Sequence, residues 1–133
     1  NKYGHAAVDG VISGHFDGYN TNTYEAPIAY MMTNFSGPQK NLPSLLSHDE
    51  VKTFFHEFGH IVHQVLTKAC YFSQAGTRVK RDFVEAPSQM LENWVWDKKM
   101  LKILSRHYKT GKTLPDTFLT NLLKAKNHIP ELF

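Results

Sequence analysis

Between Phe54 and Gln64 the sequence reads FFHEFGHIVHQ, which sets His56, His60 and His63 close together with Glu57 directly after the first. On a helix each residue turns about 100° and rises about 1.5 Å, so His56 and His60 stand about 40° apart around the axis and one turn apart along it. Two imidazoles so placed can converge on one ion, which is why the HExxH spacing recurs in zinc enzymes. Glu57 is rotated about 100° from His56. It stands beside such an ion, a position suited to a base acting on water rather than to a ligand. His63 shares the histidine face but lies about 10 Å along the axis from His56, too far to close a tetrahedral site with both others. In the longer HExxHxxGxxH pattern the third histidine position falls on Leu66.

The remaining ligand is therefore expected to be a carboxylate from a following helix. The run DFVEAPSQMLENW (Asp82–Trp94) offers Glu85 and Glu92. Seven residues apart on one helix, both can face the site, one as ligand and one as the acceptor that orients a histidine. Spacing alone does not rank them. Two other readings stand beside this one. Without a metal, the histidines are ordinary helix residues satisfied by hydrogen bonds; the uncharged Phe58 and Gly59 and the apolar flanks argue against it. Glu57-x-x-His60 is also the ExxH element of di-iron carboxylate bundles, which need a second such element. Here Glu85 and Glu92 are followed three positions later by Ser88 and Val95.

The elements that must carry these residues are legible in outline. Ser47-His48-Asp49-Glu50 matches a capping box, with Ser47 as N-cap and Glu50 three positions on. Val51, Phe54, Phe55, Phe58, Ile61, Val62, Val65 and Leu66 follow at helical spacing, predicting a helix over 48–67. Gly59 in its interior lowers helix propensity by roughly 1 kcal/mol against alanine, so a close approach is expected there. A second helix is predicted from Asp82 or, because Pro87 fits only a first turn, from Ala86, running to Tyr108. Its buried face would be Met90, Leu91, Trp94, Val95, Leu101 and Leu104. Gly111 ends that segment, and a third helix is predicted over 114–127. Upstream, Pro27–Phe35 reads as a strand. Gly10–Glu25, rich in Gly, Asn, Asp and Thr, reads as a turn or loop.

Composition bounds the function classes. The chain has 133 residues with 41% hydrophobic and 20% charged content, close to a globular average and far from a disordered one. No apolar run approaches the roughly 18 residues of a membrane span. The net charge of +3 comes with Lys98, Lys99, Lys102, Arg106, Lys109 and Lys112 strung along one segment. They read as a solvated helix face, because no stacking platform or nucleic-acid motif accompanies them. The single cysteine, Cys70, excludes an internal disulfide and fits a reducing compartment, with cytoplasm the expected location and the mitochondrion the alternative. Opening on NKYGHAAVDG, the chain reads as a piece of a longer protein.

With these residues in view, the sequence resembles the thimet oligopeptidase family of zinc metallopeptidases. The matching stretches are KYGHAA, SLLSHDEVKTFFHEFGHIVHQ and GTRVKRDFVEAPSQMLENWVW, which cover most of residues 2–108. The EAPSQMLENW segment is most similar to the branch of thimet oligopeptidase, neurolysin and saccharolysin. The resemblance implies a mainly α fold with a small β element: a zincin-type catalytic core with an HExxH helix followed by a glutamate-bearing helix. It implies one Zn²⁺ per chain held by His56, His60 and Glu85, with Glu57 as the catalytic carboxylate and Glu92 behind a ligand histidine. It also implies a single partial catalytic domain over 1–133 and an endopeptidase acting on internal bonds of short peptides, without nucleic-acid or membrane partners. PIAYMMTNF would line the substrate channel. The family's transition-state tyrosines and substrate-binding histidine lie in a later glycine-rich loop, so none of the six tyrosines here is assigned that role. A catalytically inert zinc-binding fragment is the alternative reading.

Overall fold

The computed structural model describes residues 6–11, 27–69 and 72–126, and it is mainly helical. The helix that carries HEFGH begins where the capping box predicts. Ser47 has extended backbone (φ −68°, ψ 165°), and its hydroxyl accepts from the Glu50 N–H at 3.2 Å. In return the Glu50 carboxylate accepts from the Ser47 N–H at 2.7 Å, so two N–H groups at the helix start are satisfied reciprocally. Helix α1 then runs His48–Val65, two residues short of the predicted end. Thr67 is engaged elsewhere: its hydroxyl accepts from the backbone N–H groups of Ala69 and Gly76 and so shapes the turn beyond the helix.

Upstream of α1 lies an antiparallel hairpin. Strand β1 (Ala6–Val11) pairs with β2 (Ile28–Thr33), Ala6 opposite Thr33 and Val11 opposite Ile28. The strand expected over Pro27–Phe35 is thus present in shortened form. Gly10 and Val11, read from sequence as the start of a loop, belong to β1. Glycine has low strand propensity, but pairing with Ala29 and Ile28 supplies the backbone partners that propensity does not register. The rest of that predicted loop, 12–25, lies outside the described residues, as do Cys70 and Asn127. Both strands pack on α1. The Glu50 carboxylate reinforces the junction, accepting from the N–H and the hydroxyl of Ser36, just past β2, at 2.7 Å each.

The single helix expected from Asp82 or Ala86 to Tyr108 is divided. Its parts are α2 (Arg81–Val84), α3 (Ala86–Glu92), a 3-10 turn at Asn93–Trp96, and α4 (Lys98–Leu104). Pro87 does sit in the first turn of α3, where its missing N–H has no partner to lose. Asp97 makes the break. Its backbone is extended, and its carboxylate accepts from the N–H groups of Lys99 and Met100 at 2.9 Å, capping a new helix. With the helical phase interrupted, Leu91, Val95 and Leu101 are buried as expected, whereas Met90, Trp94 and Leu104 are exposed. Gly111, at φ +67°, lies in a turn closed by its N–H donating to His107 O at 2.8 Å.

The described residues separate into two compact units on either side of the Glu92–Asn93 bond. In the first, the hairpin and α1–α3 enclose Phe55, Ala75 and Leu91, together with the polar Gln64 and Ser88. In the second, α4 and α5 (Asp116–Lys126) accompany a core of Val95, Leu101 and Leu119. There Lys98 and Lys102 both reach Asp116, at 3.0 and 2.8 Å, which engages part of the basic run. The Lys102 bond, then that of Lys98, holds the Asp116 carboxyl below its usual range. No helix among the described residues is long and apolar enough to cross a membrane.

Candidate metal centre

The site is assembled from α1 and the α2–α3 segment. His56, Glu57 and His60 lie on α1. Glu85 is the residue between α2 and α3, and Glu92 ends α3. The two carboxylates therefore leave the chain from different settings, not from one continuous helix. What brings the segments together is Gly59, the close approach anticipated from its place in the helix. A Cβ there would overlap Ser88 Cα and stand 3.0 Å from Pro87 O and Ser88 N. Only a residue without a side chain lets the α3 backbone lie so near.

That approach places Glu85 Oε2 3.1 Å from His56 Nε2 and 3.2 Å from His60 Nε2. The two imidazoles are 5.0 Å apart and nearly perpendicular, at 83°. Ligand-capable atoms of His56, His60 and Glu85 all lie within 4.8 Å of one another. On its other side, His56 Nδ1 is 2.6 Å from Glu92 Oε1, and Lys52 Nζ is 3.0 Å from Glu92 Oε2. A carboxylate only accepts, so in a neutral imidazole this bond puts the proton on Nδ1 and leaves a lone pair on Nε2. That lone pair then faces a carboxylate oxygen, acceptor against acceptor. A cation among the three atoms removes the conflict, and two imidazole nitrogens with one carboxylate oxygen make a donor set that zinc accepts. The residues fit a metal.

The remaining candidates are placed differently. Glu57 lines an open cleft of ≈ 360 Å³ with Asp49, Lys52, Thr53, His56 and Glu92, beside the His56, His60 and Glu85 group rather than within it. His63 is outside the group. Its ring packs edge-on against Phe83, with centroids 6.2 Å apart. Burial, and then the neighbouring His60, pushes its pKa down. The Nδ1 atoms of His60 and His63 are buried with no hydrogen-bond partner among the described residues.

Comparison with known proteins supplies the context for this geometry. The sequence profile of peptidase family M3 matches residues 1–133, the whole chain. The chain belongs to peptidase family M3. Its relatives include a thimet-like oligopeptidase of Dictyostelium discoideum, 48% identical over 128 residues, which are 95% of this chain and 19% of that protein. Saccharolysin of Saccharomyces cerevisiae is 46% identical over 134 aligned residues, 99% of this chain and 18% of that protein. Oligopeptidase A of Haemophilus influenzae is 48% identical over 110 residues, 82% and 16% respectively. The chain thus spans less than one fifth of the length of these relatives.

Within this M3 chain, two side chains at the site escaped the sequence reading. Lys52 holds the far oxygen of Glu92, one helical turn before His56. Ser88 is fully buried, and its hydroxyl meets Glu85. Signals for both existed. A lysine at i−4 from His56 shares its helix face, and Glu-x-x-Ser at a helix start permits a local side-chain bond.

Proposed function

We propose that the chain is the metal-binding part of a zinc-dependent endopeptidase of zincin type, which cleaves internal bonds of short peptides. The observation that carries this reading is the convergence of His56 Nε2, His60 Nε2 and Glu85 Oε2, with the opposite nitrogen of His56 occupied by Glu92. Family membership and the oligopeptidase names of the relatives support it. His56, His60 and Glu85 would hold the zinc through their Nε2 and carboxylate atoms. Zinc held there would supply Lewis acidity, lowering the pKa of water toward about 7 and favouring negative charge on a carbonyl oxygen.

The protein's own groups do the rest. Glu92 accepts the His56 Nδ1 proton and so keeps the ring turned with Nε2 toward Glu85. Lys52 balances the charge of Glu92. Glu57, facing the cleft, takes the proton of the attacking water and passes it to the departing amine nitrogen. A carboxylate in this role contributes about 10²–10⁴-fold in rate.

The test is made in the full-length protein with a quenched fluorescent peptide, with and without a chelator, alongside zinc stoichiometry. Chelation should abolish cleavage and added zinc restore it. Glu57→Gln should keep its zinc while cleavage falls by about 10²–10⁴-fold. Cleavage that survives in Glu57→Gln would sink the base assignment. Zinc binding without cleavage in the wild type would favour an inert, metal-holding protein.

A further inference from the structure

The Glu85 side chain is 47% exposed, whereas its two histidine neighbours expose only 24% and 13% of theirs. A carboxylate so open to solvent can turn away on its own torsions, yet Glu85 Oε2 faces both imidazoles. We propose that Ser88 is the positioning residue that holds Glu85 there. This rests on the reading of His56, His60 and Glu85 as metal ligands.

Ser88 is fully buried. Its hydroxyl lies 2.9 Å from Glu85 Oε2 and 2.9 Å from the Glu85 backbone carbonyl oxygen. The hydroxyl has one proton to donate, and both acceptors belong to the same residue, so either bond draws Glu85 against the first turn of α3. The oxygen it meets is the one that faces the histidines. A hydroxyl on that oxygen limits the directions from which it can serve a metal, in the way outer partners fix ligating carboxylates elsewhere. Ser88 itself is shut off from solvent, with the Gly59 backbone packed against its Cα.

The substitution that removes the hydroxyl is a clean one. Ser88→Ala keeps the Cβ that already fits beneath α1. It also strands no buried acceptor: the Glu85 carbonyl still accepts from the Gln89 N–H at 2.9 Å, and its carboxylate reaches solvent.

Zinc affinity of the full-length protein, measured by chelator competition, tests the proposal, with the melting temperature of the metal-free form as a second readout. Ser88→Ala should weaken zinc binding by about 10–100-fold while the metal-free protein melts close to wild type. In a Glu85→Ala background the same substitution should have no further effect on zinc, since Ser88 acts through that carboxylate. Wild-type affinity in Ser88→Ala overturns the proposal, and so does an equal further loss in the Glu85→Ala background. Should Ser88→Ala fail to fold, Ser88→Cys, which replaces the hydroxyl with a weak donor, decides: weakened binding supports the assignment and wild-type affinity overturns it. A wild type that binds no zinc would instead bring down the metal reading on which this rests.

Discussion

Gly59 and Ser88 meet backbone to backbone, so close that a single added carbon at position 59 would occupy the space of Ser88 Cα. Two effects of Gly59→Ala therefore compete. Alanine favours the helix by about 1 kcal/mol. Overpacking costs about 1–3 kcal/mol, and here the neighbour is main chain, which cannot step aside as a side chain does. The steric cost should win, with a net loss of up to about 2 kcal/mol in chemical denaturation. Zinc affinity should drop with it, because Glu85 rides on the displaced segment. A Gly59→Ala protein more stable than wild type would contradict this packing.

The two glutamates should separate cleanly by metal analysis. Glu85 faces both histidines, whereas Glu92 meets only His56 of the two, at its other nitrogen. Glu85→Ala is expected to hold less than one zinc per chain at stoichiometric metal, keeping only the weak affinity of the two histidines. Glu92→Ala should keep one zinc per chain when zinc is in excess, with affinity lowered by about 10–100-fold. If only Glu92→Ala loses the metal, the ligand assignment is wrong.

His63 lies against Phe83 and outside the ligand group. His63→Gln should retain a full complement of zinc and lose about 1 kcal/mol of stability, the scale of one aromatic pair. Zinc stoichiometry and denaturation on the same sample check both halves.

Acid sensitivity should have an identifiable contribution from Glu50. Its carboxyl is drawn from the ordinary 4.5 down to about 2, first by the Ser47 N–H, then by the N–H and hydroxyl of Ser36. Because the folded value is the lower one, the stabilisation is complete above about pH 4.5 and is lost as pH falls through about 2. The stability gap between wild type and Glu50→Gln should therefore hold steady above that window and close within it. Acid titration followed by circular dichroism measures the gap; one that widens toward low pH would reverse the assignment.

What the sequence disclosed, and what it concealed, follows the range of the interactions concerned. The α1 cap was legible because Ser47 and Glu50 are three residues apart and satisfy each other locally. The His56–His60 pair was legible for the same reason, and Gly59 announced a contact without naming its partner. Which of Glu85 and Glu92 faces both histidines was not derivable from spacing, because it depends on a break between α2 and α3 that periodicity does not reveal. The second break, at Asp97, was overlooked although an Asp ahead of LysLysMet is an N-cap signal; the apolar residues on both sides suggested one continuous helix. Strand β1 was not legible, because its pairing with β2 is long-range and Gly10 argued locally for a turn.

Glu85 combines two duties: its side chain faces the histidines, and its backbone carbonyl accepts the Gln89 N–H that opens α3. A chelating carboxylate on a free loop must surrender its conformational entropy when the ion arrives, at roughly 1–2 kcal/mol per residue ordered. At Glu85 much of that ordering has already occurred when α3 folds. The helix would thus serve as a fixed stop for the proposed chelate, with ion capture preorganised by folding itself.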